Sequence, residues 1–261
     1  MPKHIYQVDA FSSSLFKGNP AAVVILNNWL DEELMQNIAA ENNLAETAFV
    51  SPSGTDLHIR WFTPTTEVDL CGHATLAAAH VLFNHEDLEG DEVVFHSKSG
   101  LLRVMKEEEH LILDFPLDEF ESVVELPELM KLDFRDKTQE IYKGKTDIMF
   151  VLGKESDVAQ YQPNFDIISQ LDCRGIIITA PGNDVDFVSR FFAPQSGINE
   201  DPVTGSAHTT LTPYWSKRLN TTKLKAKQLS KRGGMLCCEV KDGRAMIGGS
   251  CHTFFKGELY I

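Results

Sequence analysis

The sequence lacks any apolar run near the roughly 18 residues that a membrane-spanning helix requires. Its first nine residues, Met1 to Asp9, are typical of a β-strand and lack the apolar core of a secretory signal peptide. We therefore expect a protein that is not exported and that works in the cytoplasm.

Positive charge is also scarce, because 24 lysines and arginines stand against 38 aspartates and glutamates and give a net charge of −14. Binding to nucleic acid or to an anionic membrane needs a positive surface, so the sequence favours neither partner. A small anionic substrate remains compatible with this composition, since a local site can be positive on an acidic protein.

The cysteines follow no disulfide or metal-binding pattern. Their number is odd, no Cys-x-x-Cys occurs, and no Cys/His cluster has the spacing of zinc ligands. Together with the missing signal peptide, this predicts reduced thiols and no metal site. The five residues concerned are Cys71, Cys173, Cys237, Cys238 and Cys251.

The sequence does contain the same order of turns, strands and helices twice. A turn followed by an apolar strand occupies residues 17–26 and again 143–152. Each is followed by a helical segment, around 31–43 or 164–171, and then by a strand that ends in proline, at Pro52 or Pro181. Chance likeness of two α+β halves is the alternative, and the matched order of the elements argues against it.

The second part of each half predicts a central helix. An aromatic strand end, a proline loop, a Gly-x-Ala turn and a helix follow one another over 61–75 and 191–208. The first of these helices, Ala74 to Phe83, is apolar nearly all round and should be buried. Strand pairs follow at 101–115 and 235–247, the second turning at Asp242-Gly243, a tight-turn signal.

The expected fold class is therefore α+β, with strands curled around one buried helix in each half. We predict a first domain over 1–117 and a second over 118–251, meeting in the acidic, irregular stretch 116–140. The terminal strand, roughly 252–261, could return to the first domain.

If the two halves pack together, their matching turns should face one cleft. Both turns precede helices, where free backbone N–H groups and the helix dipole attract an anion, and glycine lets a ligand approach the backbone. Plain helix capping, which Ser206 could provide, is the alternative for either turn alone. As a pair, they predict a site for a carboxylate, with Gly72, Ala74, Gly205, Ser206 and Ala207 as the substrate-binding residues.

Four side chains near these turns are candidates for chemistry. Glu46 is a carboxyl in an apolar run, where burial favours its protonated form and suits a group that both takes and gives a proton; a solvated strand-edge glutamate is the alternative. Asp201 is a functional carboxylate or a turn residue before Pro202. His73 is a proton carrier or a satisfied polar residue. Cys71 is a nucleophile, a base or simply a small buried residue.

The motifs of the chain resemble those of the PhzF-like (phenazine biosynthesis protein) family from end to end, and especially those of the subgroup that contains its animal members. The motifs that carry this resemblance are Asp9-Ala10-Phe11, Gly18-Asn19-Pro20-Ala21-Ala22-Val23, Leu44-Ala45-Glu46-Thr47-Ala48-Phe49, Arg60-Trp61-Phe62-Thr63-Pro64, Glu67-Val68-Asp69-Leu70-Cys71-Gly72-His73-Ala74-Thr75, Glu200-Asp201-Pro202-Val203-Thr204-Gly205-Ser206-Ala207-His208 and Gln228-Leu229-Ser230-Lys231-Arg232-Gly233-Gly234.

The resemblance implies a diaminopimelate-epimerase-like fold of two pseudo-symmetric domains, each a β-barrel around a central α-helix, with the site between them. The characterised PhzF enzyme isomerises trans-2,3-dihydro-3-hydroxyanthranilate without a cofactor. Its catalytic glutamate falls on Glu46, its histidine and aspartate on His73 and Asp201, and a serine near the substrate on Ser206. The resemblance also implies a homodimer.

One departure separates two mechanisms. Racemases and epimerases of this fold use two cysteines, one from each half, and Cys71 matches the first. No cysteine occurs anywhere in 201–208, so the two-thiol mechanism is broken on one side. The sequence thus predicts a cofactor-independent isomerase with Glu46, His73 and Asp201 as catalytic residues. A racemase or epimerase and a non-catalytic binding protein of the same fold remain alternatives.

Overall fold

In the computed structural model, which describes residues 3–123, 132 and 134–261, strands dominate and helices are few. The strands are β1 (Lys3–Ala10), β2 (Asn19–Ile25), β3 (Glu46–Ser53), β4 (Asp56–Phe62), β5 (Glu67–Val68), β6 (Glu92–Ser97), β7 (Gly100–Glu107), β8 (His110–Pro116), β9 (Glu121–Ser122), β10 (Thr138–Lys143), β11 (Asp147–Leu152), β12 (Gly175–Pro181), β13 (Phe187–Phe192), β14 (Lys223–Gln228), β15 (Gly234–Lys241), β16 (Arg244–Gly249) and β17 (Cys251–Leu259). The helices are α1 (Glu32–Asn42), α2 (Gly72–His85), α3 (Glu155–Gln160), α4 (Phe165–Ile168) and α5 (His208–Leu219).

The chain divides into two compact units. Unit 1 comprises the residues up to Asp114 together with Gly248–Ile261, and unit 2 comprises Phe115–Ile247. The terminal strand β17 pairs antiparallel with β1, which places the C-terminus in unit 1. The stretch 116–140, which the sequence suggested as the junction, lies partly outside the described residues.

Unit 1 is a mixed sheet wrapped around α2. Its order runs β17-β1-β2-β3-β4, and β4 then pairs with both the short β5 and β6, which leads to β7 and β8. The β2–β3 and β4–β6 pairings are parallel. Nine residues of α2 are buried, and the helix packs against β1, β2, β3 and β17. This burial confirms the prediction of a buried helix over Ala74–Phe83. Four of its buried residues are alanines, whose small side chains let the strands pack closely.

Unit 2 repeats the plan with its own core. The strands β11 and β12 are parallel, as β2 and β3 are, and the antiparallel β13 follows. The central helix α5 packs against β14 and β15 and buries Leu211 and Trp215 completely. At the predicted tight turn after β15, Asp242 and Gly243 both have positive φ, 50° and 73°, as a two-residue hairpin loop requires.

One prediction in unit 2 needs correction. The segment 164–171 was expected to be helical, but α4 covers only four residues, and α3 precedes it where no helix was predicted. Only Val158 of α3 is buried. The helix therefore lacks the apolar stripe from which a helix can be predicted in a sequence. Among the described residues, no helix has both the length and the apolar character needed to cross a membrane.

Candidate active site

Three chain segments bring polar side chains together in unit 1. Glu46 is the first residue of β3 and lies beside Ala21 of the parallel strand β2. Asn19 opens β2, and the starts of two parallel neighbouring strands share one edge of the sheet. The helix α2 begins at the same place with Cys71 as its cap residue and His73 in its first turn. A cluster of Asn19, Glu46, Cys71 and His73 results.

The turn before Asn19 depends on a glycine. Gly18 has φ +68°, and a Cβ built on it would lie 2.2 Å from the carbonyl oxygen of Ala10. A side chain at this position would therefore displace the start of β2, and with it the Asn19 amide.

The imidazole of His73 is the centre of the cluster. Its Nε2 lies 3.2 Å from Glu46 Oε2, while its Nδ1 lies 3.1 Å from Asn19 Nδ2 and 3.5 Å from Cys71 Sγ. All four side chains are buried, Glu46 at 8% and His73 at 6% exposed. The Glu46–His73 contact is an ion pair without hydrogen-bond alignment, and neither Oε2 nor Nε2 has a hydrogen-bond partner in the part of the chain that the structure describes.

Burial and charge act on the two titratable partners of Glu46 in different ways. Burial raises the pKa of the Cys71 thiol to about 11, and the Glu46 charge adds to this, so the thiol is neutral at pH 7. For His73, burial favours the neutral ring, but the adjacent Cys71 sulfur and the Glu46 carboxylate outweigh it and raise its pKa well above the usual value. Because the thiol is neutral, we assign this effect to the Glu46 carboxylate.

A second ion-pair system fixes the segment that leads into this cluster. Arg60 donates to both carboxylate oxygens of Glu67, at 2.7 and 2.8 Å, and Lys98 Nζ reaches Glu67 Oε2 at 2.5 Å. The Arg60 guanidinium holds the pKa of Glu67 below its usual value. This anchors β5 to β4 a few residues before Cys71.

In unit 2, Asp201 sits in a buried polar network. Thr204 Oγ1 donates to Asp201 Oδ2 at 2.5 Å, and Gln228 Nε2 donates to the Asp201 carbonyl oxygen at 2.8 Å and to Thr204 Oγ1 at 3.1 Å. The Thr204 N–H returns a bond to Gln228 Oε1 at 2.9 Å. Asp201 is 8% exposed and Gln228 is fully buried. The network fixes the orientation of the Asp201 carboxylate.

The Gly205-Ser206-Ala207 turn lies immediately before α5, as the sequence predicted. Ser206 does not cap the helix; its hydroxyl instead accepts a hydrogen bond from Arg174 Nη1 at 3.0 Å. Arg174 is also bound by both Asp147 oxygens and lies over the Phe191 ring. Burial opposes its charge, but Asp147 outweighs that and raises the pKa of Arg174. A permanent cation therefore stands beside the Ser206 turn.

The structure thus brings Glu46 and His73 together within unit 1 and places Asp201 and Ser206 in unit 2. Sequence reasoning assigned no role to Asn19, Gln228 or Arg174. Asn19 and Gln228 lie inside motifs that carried the family resemblance, so the sequence did hold a signal that could have marked both as candidate site residues. No sequence motif marked Arg174, because it follows an irregular segment and only the fold brings it to Ser206.

His208 was not singled out either, although it directly follows the Ser206 turn. It is fully buried, and its Nδ1 lies 2.8 Å from the Thr204 carbonyl oxygen. Burial lowers the pKa of His208 to about 4, so the ring is neutral at pH 7. It serves as a hydrogen-bonded core residue of the turn.

Glu46, Cys71 and His73 also offer three metal-ligand atoms within 4.8 Å of one another. The neutral Cys71 thiol would have to lose its proton before it could bind a metal ion. The five cysteines are free thiols.

Comparison with known proteins shows the family to which the chain belongs. The family model for phenazine biosynthesis-like proteins matches residues 8–257. An uncharacterized isomerase of Pseudomonas aeruginosa is 51% identical over 265 residues, with 100% of both chains covered. A phenazine biosynthesis-like domain-containing protein of Bos taurus is 39% identical over 282 residues, with 98% of both covered.

Solved structures extend the likeness to the fold. A PhzF-family protein of Enterococcus faecalis shares 52% identity and a TM-score of 0.94, with 100% of both chains covered. A probable proline racemase of Agrobacterium radiobacter reaches a TM-score of 0.66 at 10% identity, covering 99% of this chain and 93% of that one. The predicted α+β, diaminopimelate-epimerase-like fold is confirmed, and the chain belongs to the family of phenazine biosynthesis-like (PhzF-like) isomerases.

Proposed function

We propose that this protein is a cofactor-independent isomerase that moves a proton within a small carboxylate-bearing substrate, with Glu46 as the general acid and base. The observation that carries the proposal is the buried Glu46 carboxylate, 3.2 Å from the His73 imidazole and without a hydrogen-bond partner on Oε2 in the described part of the chain. Such a carboxylate is desolvated, and its oxygen is available to a substrate proton.

In the proposed reaction, Glu46 removes a proton from a carbon next to an unsaturated or carboxyl-activated system. The electron pair is delocalised into that system, and Glu46, whose carboxyl proton can exchange with solvent, then returns a proton to a different carbon. No atom is gained or lost, and no electron leaves the substrate, so the reaction needs no oxidant and no leaving group. One carboxyl can serve both steps, because it removes the proton as a carboxylate and gives a proton back as the protonated acid.

His73 supports this cycle through its charge. The raised pKa of His73 keeps the imidazole cationic beside the Glu46 carboxylate. When Glu46 has taken the proton, the His73 cation can stabilise negative charge that develops on the substrate. A cationic ring donates from both nitrogens, so the Asn19 side-chain amide, whose Nδ2 lies 3.1 Å from Nδ1, turns over and presents its oxygen to hold the ring in this orientation.

Each of the two helix-start turns offers donors for the anionic end of a substrate. Cys71 and Ala207, which precede α2 and α5, make no side-chain hydrogen bond to their helix ends. Backbone N–H groups of Gly72–Ala74 and Gly205–Ala207, with the Ser206 hydroxyl, would then bind a carboxylate. The Arg174 cation next to Ser206 favours an anion there. The role proposed for Asp201 is to polarise a substrate and to help relay protons.

Racemisation or epimerisation of an amino acid is a second candidate, because Cys71 Sγ lies 3.5 Å from His73 Nδ1, a contact that a thiol base would use. Two observations oppose it. The pKa of Cys71 is raised to about 11, which leaves little thiolate. The second half offers no cysteine within 201–208.

A proton-exchange screen tests the proposal. Small cyclic and amino-acid carboxylates are incubated with the wild type and with Glu46→Gln in deuterated water, and NMR follows deuterium uptake and the position of the double bond. The proposal expects a substrate that is isomerised by the wild type and not by the variant. Exchange at an α-carbon with loss of optical purity, and no shift of a double bond, would instead identify a racemase.

A further inference from the structure

The sheet of unit 1 carries a group of metal-ligating side chains outside the candidate active site. Asp56 and His58 lie two residues apart on β4 and therefore point to the same face. The strand β6 runs parallel to β4, and its register places His96 directly beside His58. Side chains 38 positions apart in sequence thus become neighbours through strand register alone.

Ligand atoms of the three side chains lie close enough together to bind one ion. The two imidazole rings are stacked, with centroids 4.9 Å apart and an angle of 13° between their planes. His96 Nε2 lies 3.6 Å from Asp56 Oδ2. One ligand atom from each residue lies within 4.8 Å of the other two. In a tetrahedral zinc site, ligand atoms are about 3.3 Å apart, given bonds of roughly 2.0–2.1 Å. To bind one ion, the two rings must therefore rotate out of their stack until their in-plane nitrogen lone pairs converge.

We propose that Asp56, His58 and His96 form a surface binding site for a divalent late transition metal ion such as Zn²⁺. Two neutral imidazoles and one carboxylate are donors that zinc, nickel and copper accept and that magnesium and calcium do not favour. Asp56 is exposed and the histidines are half-buried, so water completes the coordination.

Such an ion would act on the fold of unit 1. The parallel pairing of β4 with β6 consists of only two residue pairs, Leu57 with Phe95 and His58 with His96. An ion bound across His58 and His96 ties the two strands at this short pairing. Bound metal should therefore raise the thermal stability of the folded chain, because it binds the native register and not the unfolded chain.

Metal titration of the full chain tests this site. After treatment with a chelator, Zn²⁺ is added in competition with a chromophoric chelator, and the melting temperature is measured with and without the ion. We expect one saturable Zn²⁺ site in the wild type. His58→Asn and His96→Asn should each weaken it on the order of a hundredfold, at least the loss typical for partners of metal ligands, and should remove the zinc-induced rise in melting temperature.

His4→Asn is the matched control, since His4 is as exposed as His96, at 42% against 41%, and has a carboxylate, Glu86, at 3.8 Å but belongs to no ligand group among the described residues. It should bind Zn²⁺ as the wild type does. Three results would overturn the proposal. They are the absence of a saturable site, unchanged affinity in both histidine variants, and a site that is lost only in Cys71→Ala, which would place the ion at the buried cluster.

Discussion

At the scale of single residues, the charge of His73 depends on Glu46. Burial alone would make the ring neutral, as it does for His208, whose pKa falls to about 4. The carboxylate at 3.2 Å reverses the direction for His73. Because its folded-state pKa lies above the unfolded value of 6.5, this pairing stabilises the fold fully below pH 6.5 and is lost as the pH rises through the raised folded-state pKa.

Nitrogen chemical shifts of labelled histidines test this assignment. At pH 7.5 the account predicts a protonated imidazole for His73 and a neutral one for His208, although both are buried. In Glu46→Gln the pKa of His73 should fall, since burial then acts without the opposing carboxylate. A neutral His73 in the wild type at pH 7 would contradict the role given to it here.

Cys71 and Asp201 separate the two catalytic mechanisms. A thiol with a pKa of about 11 is a poor base at neutral pH, so Cys71→Ser should change turnover only slightly. Asp201→Asn keeps the size of the side chain but removes its charge, and we expect a loss of about a hundredfold, as for a general acid–base residue. An inactive Cys71→Ser enzyme beside a fully active Asp201→Asn enzyme would favour the thiol mechanism.

At the scale of elements, the Arg60–Glu67 pair holds the segment between β4 and α2. Glu67 is 11% exposed and accepts from both Arg60 and Lys98, whereas the Arg103–Glu92 pair of the same unit is 50% and 43% exposed. Exposed pairs contribute little because water and salt screen them. The first pair should therefore matter for stability and the second should not.

Thermal unfolding of Glu67→Gln against pH measures this contribution. At pH 7 the variant should lose about 1 kcal/mol of unfolding free energy, a melting-temperature drop of about 2–4 °C. Since the folded-state pKa of Glu67 lies below the unfolded value of 4.5, its contribution is present above pH 4.5 and disappears as the pH falls through the lowered pKa. Glu92→Gln is the control, and an equal effect of both variants would contradict the argument.

The elements also mark the limit of prediction from sequence. The buried helix α2 was predictable because its apolar residues surround it, and the Asp242-Gly243 turn because both positions need positive φ. The helix α3 was not, since it buries one residue. The neighbourhoods of His58 with His96 and of Arg174 with Ser206 depend on strand register and on loop geometry, which no linear spacing encodes.

At the scale of the whole molecule, each of the two units carries a polar cluster. The kinetics of a double variant report whether residues of the two clusters serve the same step. If Glu46 and Asp201 serve the same step, the double variant Glu46→Gln/Asp201→Asn should be hardly slower than either single variant, because residues that act as a unit are not additive. If the double variant instead loses turnover by the product of the two single losses, Glu46 and Asp201 serve different steps.

Assembly belongs to the same scale. The family resemblance implies a homodimer, so sedimentation equilibrium at micromolar concentration should give twice the chain mass of 29.2 kDa. A monomer at that concentration would remove this expectation without touching the proposed chemistry, since every contact invoked for Glu46 and His73 lies within one chain.

The central claim is that the Glu46 carboxyl carries the proton, and turnover of Glu46→Gln tests it most directly. Glutamine keeps the shape of the side chain but neither takes nor gives a proton at neutral pH. With the substrate found by the exchange screen, the account predicts a fall in kcat of at least about a hundredfold, while binding largely survives. A Glu46→Gln enzyme with wild-type turnover would contradict the account.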